Sequence, residues 1–456
     1  MYIKNLQHLR RFLTGIVVLG SYLSTQTLQS DADELSELRS EIMQLQQRLQ
    51  TLEQQAQESA NQSKTKATTS TKTTLDRRGL IVSNEKGFSI RIRPRIQIDS
   101  HTFFDDESAT NEILLRRIRP IIQGDAGPFS WRIMPELAGT VRILDAWVDT
   151  SLSEQSYLRV GKMKQVVGYE RLQSFSKGLF VERGLPSVLT PTRDMGIEYH
   201  FSPTSNQWEA TLGLYDGTLD DTDLSTNANI DKHSMDFGFR LACFPWKKSD
   251  ESSLKNLTFG IAATFGCEGV TINNSDRDQR IRYRTSGRNT FFCYNDGVAI
   301  DGERNRLNAF MSWYNGPFGW LSEWVLSTNE LSWKGQTDTI GASAWTAQLG
   351  WVLTGESASY NGLKPKNPMG SGNGYGAFEL GIRVHQLNIE DAAFVSDSAW
   401  SYARSNSVQN ATAYGLALNW YLTDNVLFAT NFEITDFSGL GANKPTEKAL
   451  QRSLAG

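Results

Sequence analysis

Residues Phe88–Asp99 read FSIRIRPRIQID, and their parity decides the fold. Ile90, Ile92, Pro94, Ile96 and Ile98 share one parity; Arg91, Arg93, Arg95 and Gln97 share the other. Successive side chains of a strand point to opposite faces. The segment therefore predicts a strand with one aliphatic face and one row of guanidinium groups. A half-buried strand of a soluble sheet also alternates. Three same-face arginines with no acid among them, however, repel one another to no purpose on a soluble surface. In a transmembrane barrel the same pattern means lipid outside and a cationic lumen inside.

Composition fits that reading. The chain has 456 residues, long for one soluble domain and ordinary for one large barrel. Its net charge of −4, with both signs mixed, points to no nucleic-acid partner, so any anion preference must come from local placement of Arg and Lys. Twelve Trp and 14 Tyr suit interfacial girdles. Beyond the N-terminus no run of about 18 apolar residues occurs, which leaves a β-barrel as the way across a bilayer. Cys243, Cys267 and Cys293 are widely spaced and odd in number. With no His pattern beside them they suit a zinc site poorly, and they leave open one disulfide with a spare thiol, or three unpaired thiols.

The chain divides into four segments. Residues 1–30 read as a secretion signal, with Lys4, Arg10 and Arg11 ahead of the apolar Phe12–Leu23. Residues 31–59 carry Leu35, Leu38, Ile42, Leu45, Leu49 and Leu52 at alternating spacings of three and four, the seam of an α-helical coiled coil. Residues 60–87 open on a Ser/Thr/Lys/Gln tract and are expected to be a flexible linker. Residues 88–456 repeat period-two segments to the end.

Fifteen strands are expected between Phe88 and Phe437, most near the ~9–11 residues a tilted strand needs to cross a bilayer. Short connections (Gly124–Pro128, Ser202–Asn206, Asn315–Pro317, Leu422–Asp424) alternate with long ones (Gln165–Arg193, Gly217–His233, Cys267–Glu303, Asp391–Ser407). Barrels alternate short periplasmic turns with long surface loops in this way. Ala138–Val141 is too tight and Gly355–Tyr375 too long for that rule. Thr446–Gly456 alternates weakly and carries no aromatic. Two readings stand: a stunted sixteenth strand, or a chain that has lost its last residues.

Several stretches resemble the phosphate-selective porins O and P. They are LLRRIRPIIQGDAGPFSWRIMPEL (Leu114–Leu137), DAWVD (Asp145–Asp149), LRVGKMKQVVGYERLQSFSKGLFVERGLP (Leu158–Pro186), WYNGPFGWLSEW (Trp313–Trp324), WVLTGESASYNGLKPKNPMGSGNGYGAFELGIR (Trp351–Arg383) and NWYLTDNV (Asn419–Val426). The resemblance implies a trimeric outer-membrane barrel of sixteen strands that passes small anions. It also implies a third surface loop folded into the lumen, here Gln165–Arg193, and accommodates an inward Gly355–Tyr375. The chain departs from the family at its C-terminus, which lacks the closing aromatic.

The fold class expected is thus all-β: a transmembrane antiparallel β-barrel of about sixteen strands preceded by an N-terminal α-helical coiled coil. Lumen candidates are Arg91, Arg93, Arg95, Arg117, Arg119, Arg132 and Arg159; loop candidates are Lys162, Lys164, Arg171, Lys177, Arg183 and Arg193. Arg116, on the opposite parity, belongs at a girdle or across a bulge. Arginine suits oxyanions because its planar fork donates two bonds and keeps its charge. The competing role for each is to neutralise an acid such as Asp99, Glu136, Asp145 or Glu182. No catalytic or cofactor motif is found. Asp220, Asp221 and Asp223 could touch a divalent cation but suit a solvated loop better. His233 and His385 stand alone.

The function expected is passive diffusion of small anions, phosphate among them, through an outer-membrane porin that is a homotrimer in outer-membrane lipid, with no cofactor and no nucleic acid. The rivals are a structural or adhesive barrel with a plugged lumen, and a barrel enzyme, for which no Ser/His pair can be assembled.

Overall fold

The computed structural model describes residues 32–66, 71–76, 79–104, 110–222, 235–250, 253–276, 279–394 and 401–456. The expected signal, residues 1–30, lies outside them. The chain forms two compact units that divide after residue 70.

The first unit contains one helix, α1 (Ala32–Lys66). Leu35 and Leu38 fall on its first turns, and Ile42, Leu45, Leu49 and Leu52 all stand exposed along it. The helix runs past the expected boundary at residue 59. Two strands then follow, β1 (Thr71–Asp76) and β2 (Gly79–Asn84), paired antiparallel as a hairpin. The stretch expected as a flexible linker, 60–87, is therefore helix to Lys66 and strand from Thr71. The polar composition misled: Thr71, Thr73, Thr74, Ile81 and Val82 are β-branched and favour strands once a partner edge is offered. β3 offers it, pairing Leu80 with Ile92 and Ile81 with Arg91.

The opening stretch is a strand broken by its proline into β3 (Phe88–Arg93) and β4 (Ile96–Phe104). Its neighbour breaks likewise at Pro120 into β5 (Glu112–Ile118) and β6 (Ile121–Ala126). Proline has no N–H for a ladder, so the breaks are set side by side. Across them Arg95 N–H donates to Arg119 O at 2.9 Å and Arg119 N–H to Arg95 O at 2.8 Å. Ile90, Ile92, Ile96 and Ile98 are exposed on one face, while Arg91, Arg93 and Arg95 are half-buried on the other.

The wall continues as β7 (Phe129–Glu136), β8 (Arg142–Ser153), β9 (Ser156–Met163), β10 (Asp194–Phe201), β11 (Trp208–Tyr215), β12 (Asp236–Cys243) and β13 (Thr258–Thr271). The next connection carries its own hairpin, β14 (Arg282–Arg284) and β15 (Thr290–Cys293). Long strands follow: β16 (Ala299–Asn315), β17 (Phe318–Trp333), β18 (Gln336–Val352), β19 (Ala377–Ile389), β20 (Val408–Tyr421) and β21 (Leu427–Gly441). The last is β22 (Glu447–Ala455). Apart from the β14–β15 hairpin, the strands form one 20-stranded antiparallel sheet. Lys334 and Gly335 (φ 48° and 81°) make the two-residue turn between β17 and β18, a left-handed geometry that matches strand twist.

The C-terminal segment, read as weakly alternating, is the strand β22. β22 pairs with β21 along one edge and with β4 along the other, from Lys448 opposite Phe104 to Ala455 opposite Gln97. Backbone pairing needs no terminal aromatic. Cys243 and Cys293 are free thiols among the described residues.

Connections supply a packed interior. Leu185 and Leu189 of the 164–193 connection join Tyr283, Phe291 and Phe292 of the β14–β15 hairpin, Leu331 of β17, Ile340 of β18 and Leu387 of β19 in one buried apolar cluster. Loops that bury side chains this large are held by the hydrophobic effect as well as by hydrogen bonds.

Candidate functional site

The 164–193 connection is pinned to one side of the sheet. A single helical turn, α2 (Tyr169–Leu172), points its first amides at Glu323 of β17: Tyr169 N–H donates at 2.5 Å and Glu170 N–H at 3.0 Å. Gly168 N–H donates to Asn308 of β16, and Leu185 N–H to His385 Nδ1 of β19 at 3.0 Å. Asn419 of β20 and Arg383 of β19 donate to the carbonyls of Leu179 and Glu182, both at 2.8 Å. The 353–376 connection meets it from its own side: Tyr360 Oη donates to Tyr169 O, and the Tyr169 ring stacks between Phe310 and Tyr360 at 4.4 and 4.8 Å. The overlong Gly355–Tyr375 segment thus packs on the 164–193 connection.

Facing the loop across the other side is a cavity of about 810 Å³. Sixteen arginines and Lys164 border it, against five acids: Asp145, Glu182, Glu198, Asp220 and Asp221. Ten of the thirteen anticipated residues are there: Arg93, Arg95, Arg117, Arg119, Arg132, Arg159, Lys164, Arg171, Arg183 and Arg193. Three are not. Arg91 lies one pair further along β3, opposite Gln123; Lys162 is buried in β9 opposite Ala146; Lys177 turns to a small separate pocket beside Gln173 and Glu379.

Arg116 was missed as a cavity residue because the register slips: Gln97 opposes Arg117 but Ile98 opposes Leu115, so Arg116 sits on a bulge and turns inward. Arg280, Arg282, Arg284 and Arg288 also border the cavity from the β14–β15 hairpin. RIRYR carries the same alternation as the opening stretch, a signal that its place in a long connection concealed. Arg142 and Arg240 complete the set.

The cations fall into two groups. Many have acid partners: Arg119 with Glu136 (2.7 Å), Arg132 and Arg193 with Asp145 (3.2 and 2.8 Å), Arg159 with Asp149 (2.7 Å), Arg171 with Asp221 (3.0 Å) and Arg116 with Glu182 (2.8 Å). A second group has none among the described residues. Arg91 and Arg93 make no hydrogen bond or ion pair, and Arg95 reaches only Ser174 Oγ at 3.3 Å. Arg117 donates to Gln97 and lies 3.3 Å over the Phe175 ring, which Arg183 approaches at 4.9 Å. Arg183 and Lys164 donate to backbone carbonyls of residues 170–173.

Electrostatics of the loop follow from this crowding. Burial resists ionisation of Glu182, but Arg116 and Arg117 outweigh it and hold the carboxyl down at about 2. Burial, then Arg171, pushes Arg183 down to about 9. Burial, then Arg183 and Arg193, carries the Lys164 ammonium well below its ordinary range.

The acidic residues read as a candidate cation site are arginine partners. Asp220 accepts from Arg306 at 2.7 Å and from Ser327, and Asp221 holds Arg171 and Arg284. Asp223 and His233 lie outside the described residues. Among the described residues no group of acids, histidines and cysteines could hold a metal.

A wall of antiparallel strands with inward connections and an arginine-bordered cavity defines a porin, an outer-membrane channel protein rather than an enzyme. The chain belongs to the phosphate-selective porin O and P family, whose model matches residues 88–436. Among solved structures, the outer membrane channel DcaP of Acinetobacter baumannii superposes with a TM-score of 0.51 at 8% identity, covering 82% of this chain and 98% of that one. In-vitro folded OmpT of Vibrio cholerae gives 0.50 at 8% identity, covering 81% and 97%. An anion-selective porin from Comamonas acidovorans gives 0.49 at 11% identity, covering 81% and 99%. At such identities the likeness to DcaP and OmpT speaks to fold alone. No curated protein sequence matches the chain.

Proposed function

We propose that this porin is a closed sixteen-stranded barrel, exported by an N-terminal signal, through which small anions diffuse passively across the outer membrane. What supports closure is the ladder between β22 and β4. The arginine-bordered cavity is the narrow part of the water-filled passage, and the 164–193 connection is the constriction. The observation that carries the reading is the imbalance around one cavity, seventeen cations against five acids among the described residues, with Arg93, Arg95, Arg117, Arg183 and Lys164 lacking any acid partner there. A unit charge 4 Å from a permeating anion is worth about 4 kcal/mol at an effective dielectric near 20. Water and neighbouring arginines cut that further. Such contacts are strong enough to admit an anion and weak enough to release it, which conduction requires.

Phosphate is the preferred anion on this reading, because guanidinium forks match its oxygens two at a time. The exposed stripe Ile42, Leu45, Leu49 and Leu52 of α1, with Leu35 and Leu38, is the seam of a three-stranded coiled coil that joins three copies. Reconstitution in planar bilayers tests the whole. A KCl gradient is expected to give an anion-selective reversal potential, and phosphate to permeate better than its mobility relative to chloride predicts. A cation-selective potential, or well-folded protein without conductance steps, overturns it; the latter result favours a plugged structural barrel.

A further inference from the structure

Wall side chains hold the backbone of the 164–193 connection at Gly168, Tyr169 and Glu170, and again at Leu179, Val181, Glu182 and Leu185. The tip between those points, residues 174–178, is held differently. Among the described residues no wall side chain bonds its backbone. Its bonds stay within the connection: Lys177 N–H donates to Ser174 O at 2.8 Å, Gly178 N–H to Phe175 O at 3.4 Å and Gln173 Nε2 to Lys177 O at 3.2 Å. The wall offers the tip only side-chain contacts. Arg95 donates to Ser174 Oγ at 3.3 Å, and Arg117 lies 3.3 Å over the Phe175 ring. Lys177 leans the other way, beside Gly362 of the 353–376 connection. A segment with so few ties opens at little cost.

The ring is a poor partner for the groups it covers. Arg117 is buried, and a guanidinium carries five N–H donors. Nη1 donates to Gln97 at 2.6 Å, but Nε has no hydrogen-bond partner among the described residues. A phenyl face attracts a cation through its quadrupole, yet it cannot accept a pair of N–H bonds, and buried donors left unmade cost free energy. Arg183 approaches the same ring at 4.9 Å. Two guanidinium groups without an acid partner among the described residues therefore flank one apolar ring. An oxyanion in the ring's place would bring what the ring lacks, a full charge and several acceptors.

We infer that Phe175 is an internal competitor for the permeating anion. The inference rests on the channel reading above. The tip 174–178 swings aside when an oxyanion such as phosphate reaches Arg117 and Arg183, and the ring returns when the ion leaves. The competition serves conduction: two desolvated guanidinium groups without cover would hold an oxyanion firmly, and an ion held firmly blocks a pore. It also favours phosphate over chloride. Phosphate oxygens meet both forks at once, whereas chloride is a single acceptor centre and displaces the ring less well.

The test is the full chain in planar bilayers, with inorganic phosphate titrated against a chloride current at constant pH. Phe175→Leu removes the quadrupole and keeps apolar bulk. Half-block is expected at about a tenfold lower phosphate concentration, the scale of one desolvated guanidinium–ring contact. Phe175→Tyr keeps the ring and is expected to match wild type. An unchanged or higher half-block concentration in Phe175→Leu overturns the inference. If that variant fails to fold, as read by heat-modifiable migration, Phe175→para-fluorophenylalanine decides, because the ring remains. Its fluorine resonance in detergent is expected to shift with phosphate and not with chloride of equal ionic strength. A resonance that phosphate leaves in place overturns the inference as well. Wild type without anion-selective current overturns the channel reading instead, and the fluorine titration, which needs no current, tells the two failures apart.

Discussion

Two sides of the same wall carry arginine for opposite ends. On β3, at its break before β4, and on β5, Arg93, Arg95 and Arg117 have no acid partner among the described residues, and their charge is left for whatever enters the cavity. On β16, Arg304 and Arg306 are fully buried and locked. Arg304 bonds Asp236 at 2.6 Å and lies 2.5 Å from Glu268; Arg306 bonds Asp220 at 2.7 Å. Arg383 of β19 holds Glu433 at 2.7 Å in the same manner. Residue type does not set the role. The acids on neighbouring strands and loops do: where they are present arginine fastens a loop to the wall, and where they are absent it presents charge.

The comparison breaks most visibly at Arg306. Arg306→Met leaves Asp220 buried without its partner, which costs about 3–5 kcal/mol. The expected result is a large loss of folded protein in heat-modifiability and urea titrations. Any folded fraction should keep the anion selectivity of wild type, because Arg306 fastens rather than conducts. Unchanged stability would mean that buried pairing is not what distinguishes the two sides.

Next comes the opposite side. Arg91, Arg93 and Arg95 replaced together by Gln should leave stability unchanged or improved, since the three repel one another and their one side-chain hydrogen bond is the 3.3 Å contact of Arg95 with Ser174. Three charges about 10 Å from the path in water are worth about 1 kcal/mol together, so the anion-to-cation permeability ratio should fall roughly fivefold to tenfold. Selectivity that survives the triple change would move the filter from β3 to the loop.

The loop's share can be separated by pH. Arg183 is pushed down to about 9 by burial and Arg171, and Lys164 lies well below its ordinary range. Both are bases, so their charge is present at low pH and lost as pH rises through these lowered values. Anion preference is therefore expected to decline between pH 8 and 10 in wild type, and to stay flat in Arg183→Gln combined with Lys164→Gln. Glu182, held at about 2, stays ionised throughout that window and contributes no step.

Sequence reading went far on the strands and less far on the loops, for a physical reason. Period two is local, so the alternation of Ile90 to Ile98 against Arg91 to Arg95 announced both faces of the wall. Pairing is not local. Whether Arg132 is free depends on Asp145 in the next strand, and whether Arg171 is free depends on Asp221, fifty residues on. No spacing rule joins those positions. Arg116 was hidden by a one-residue slip in register, and Arg280 to Arg288 by lying in a connection that folds back to the cavity. The strands of the 60–87 stretch were hidden by polar composition, which says little about pairing once β3 supplies an edge.

The smallest effect sharpens the comparison furthest, because it turns one kind of arginine into the other without touching an arginine. Asp145 is shared: Arg132 approaches one oxygen at 3.2 Å and Arg193 the other at 2.8 Å. Asp145→Asn keeps the shape and a carbonyl acceptor for one of them, and adds one net positive charge to the cavity. By the same arithmetic, one charge about 10 Å from the path in water is worth about 0.4 kcal/mol, so anion selectivity should rise about twofold. Stability should drop modestly, since each arginine keeps part of its hydrogen bonding. A fall in anion selectivity would mean that Asp145 orients Arg132 and Arg193 toward the path, and that pairing on this side serves conduction as well.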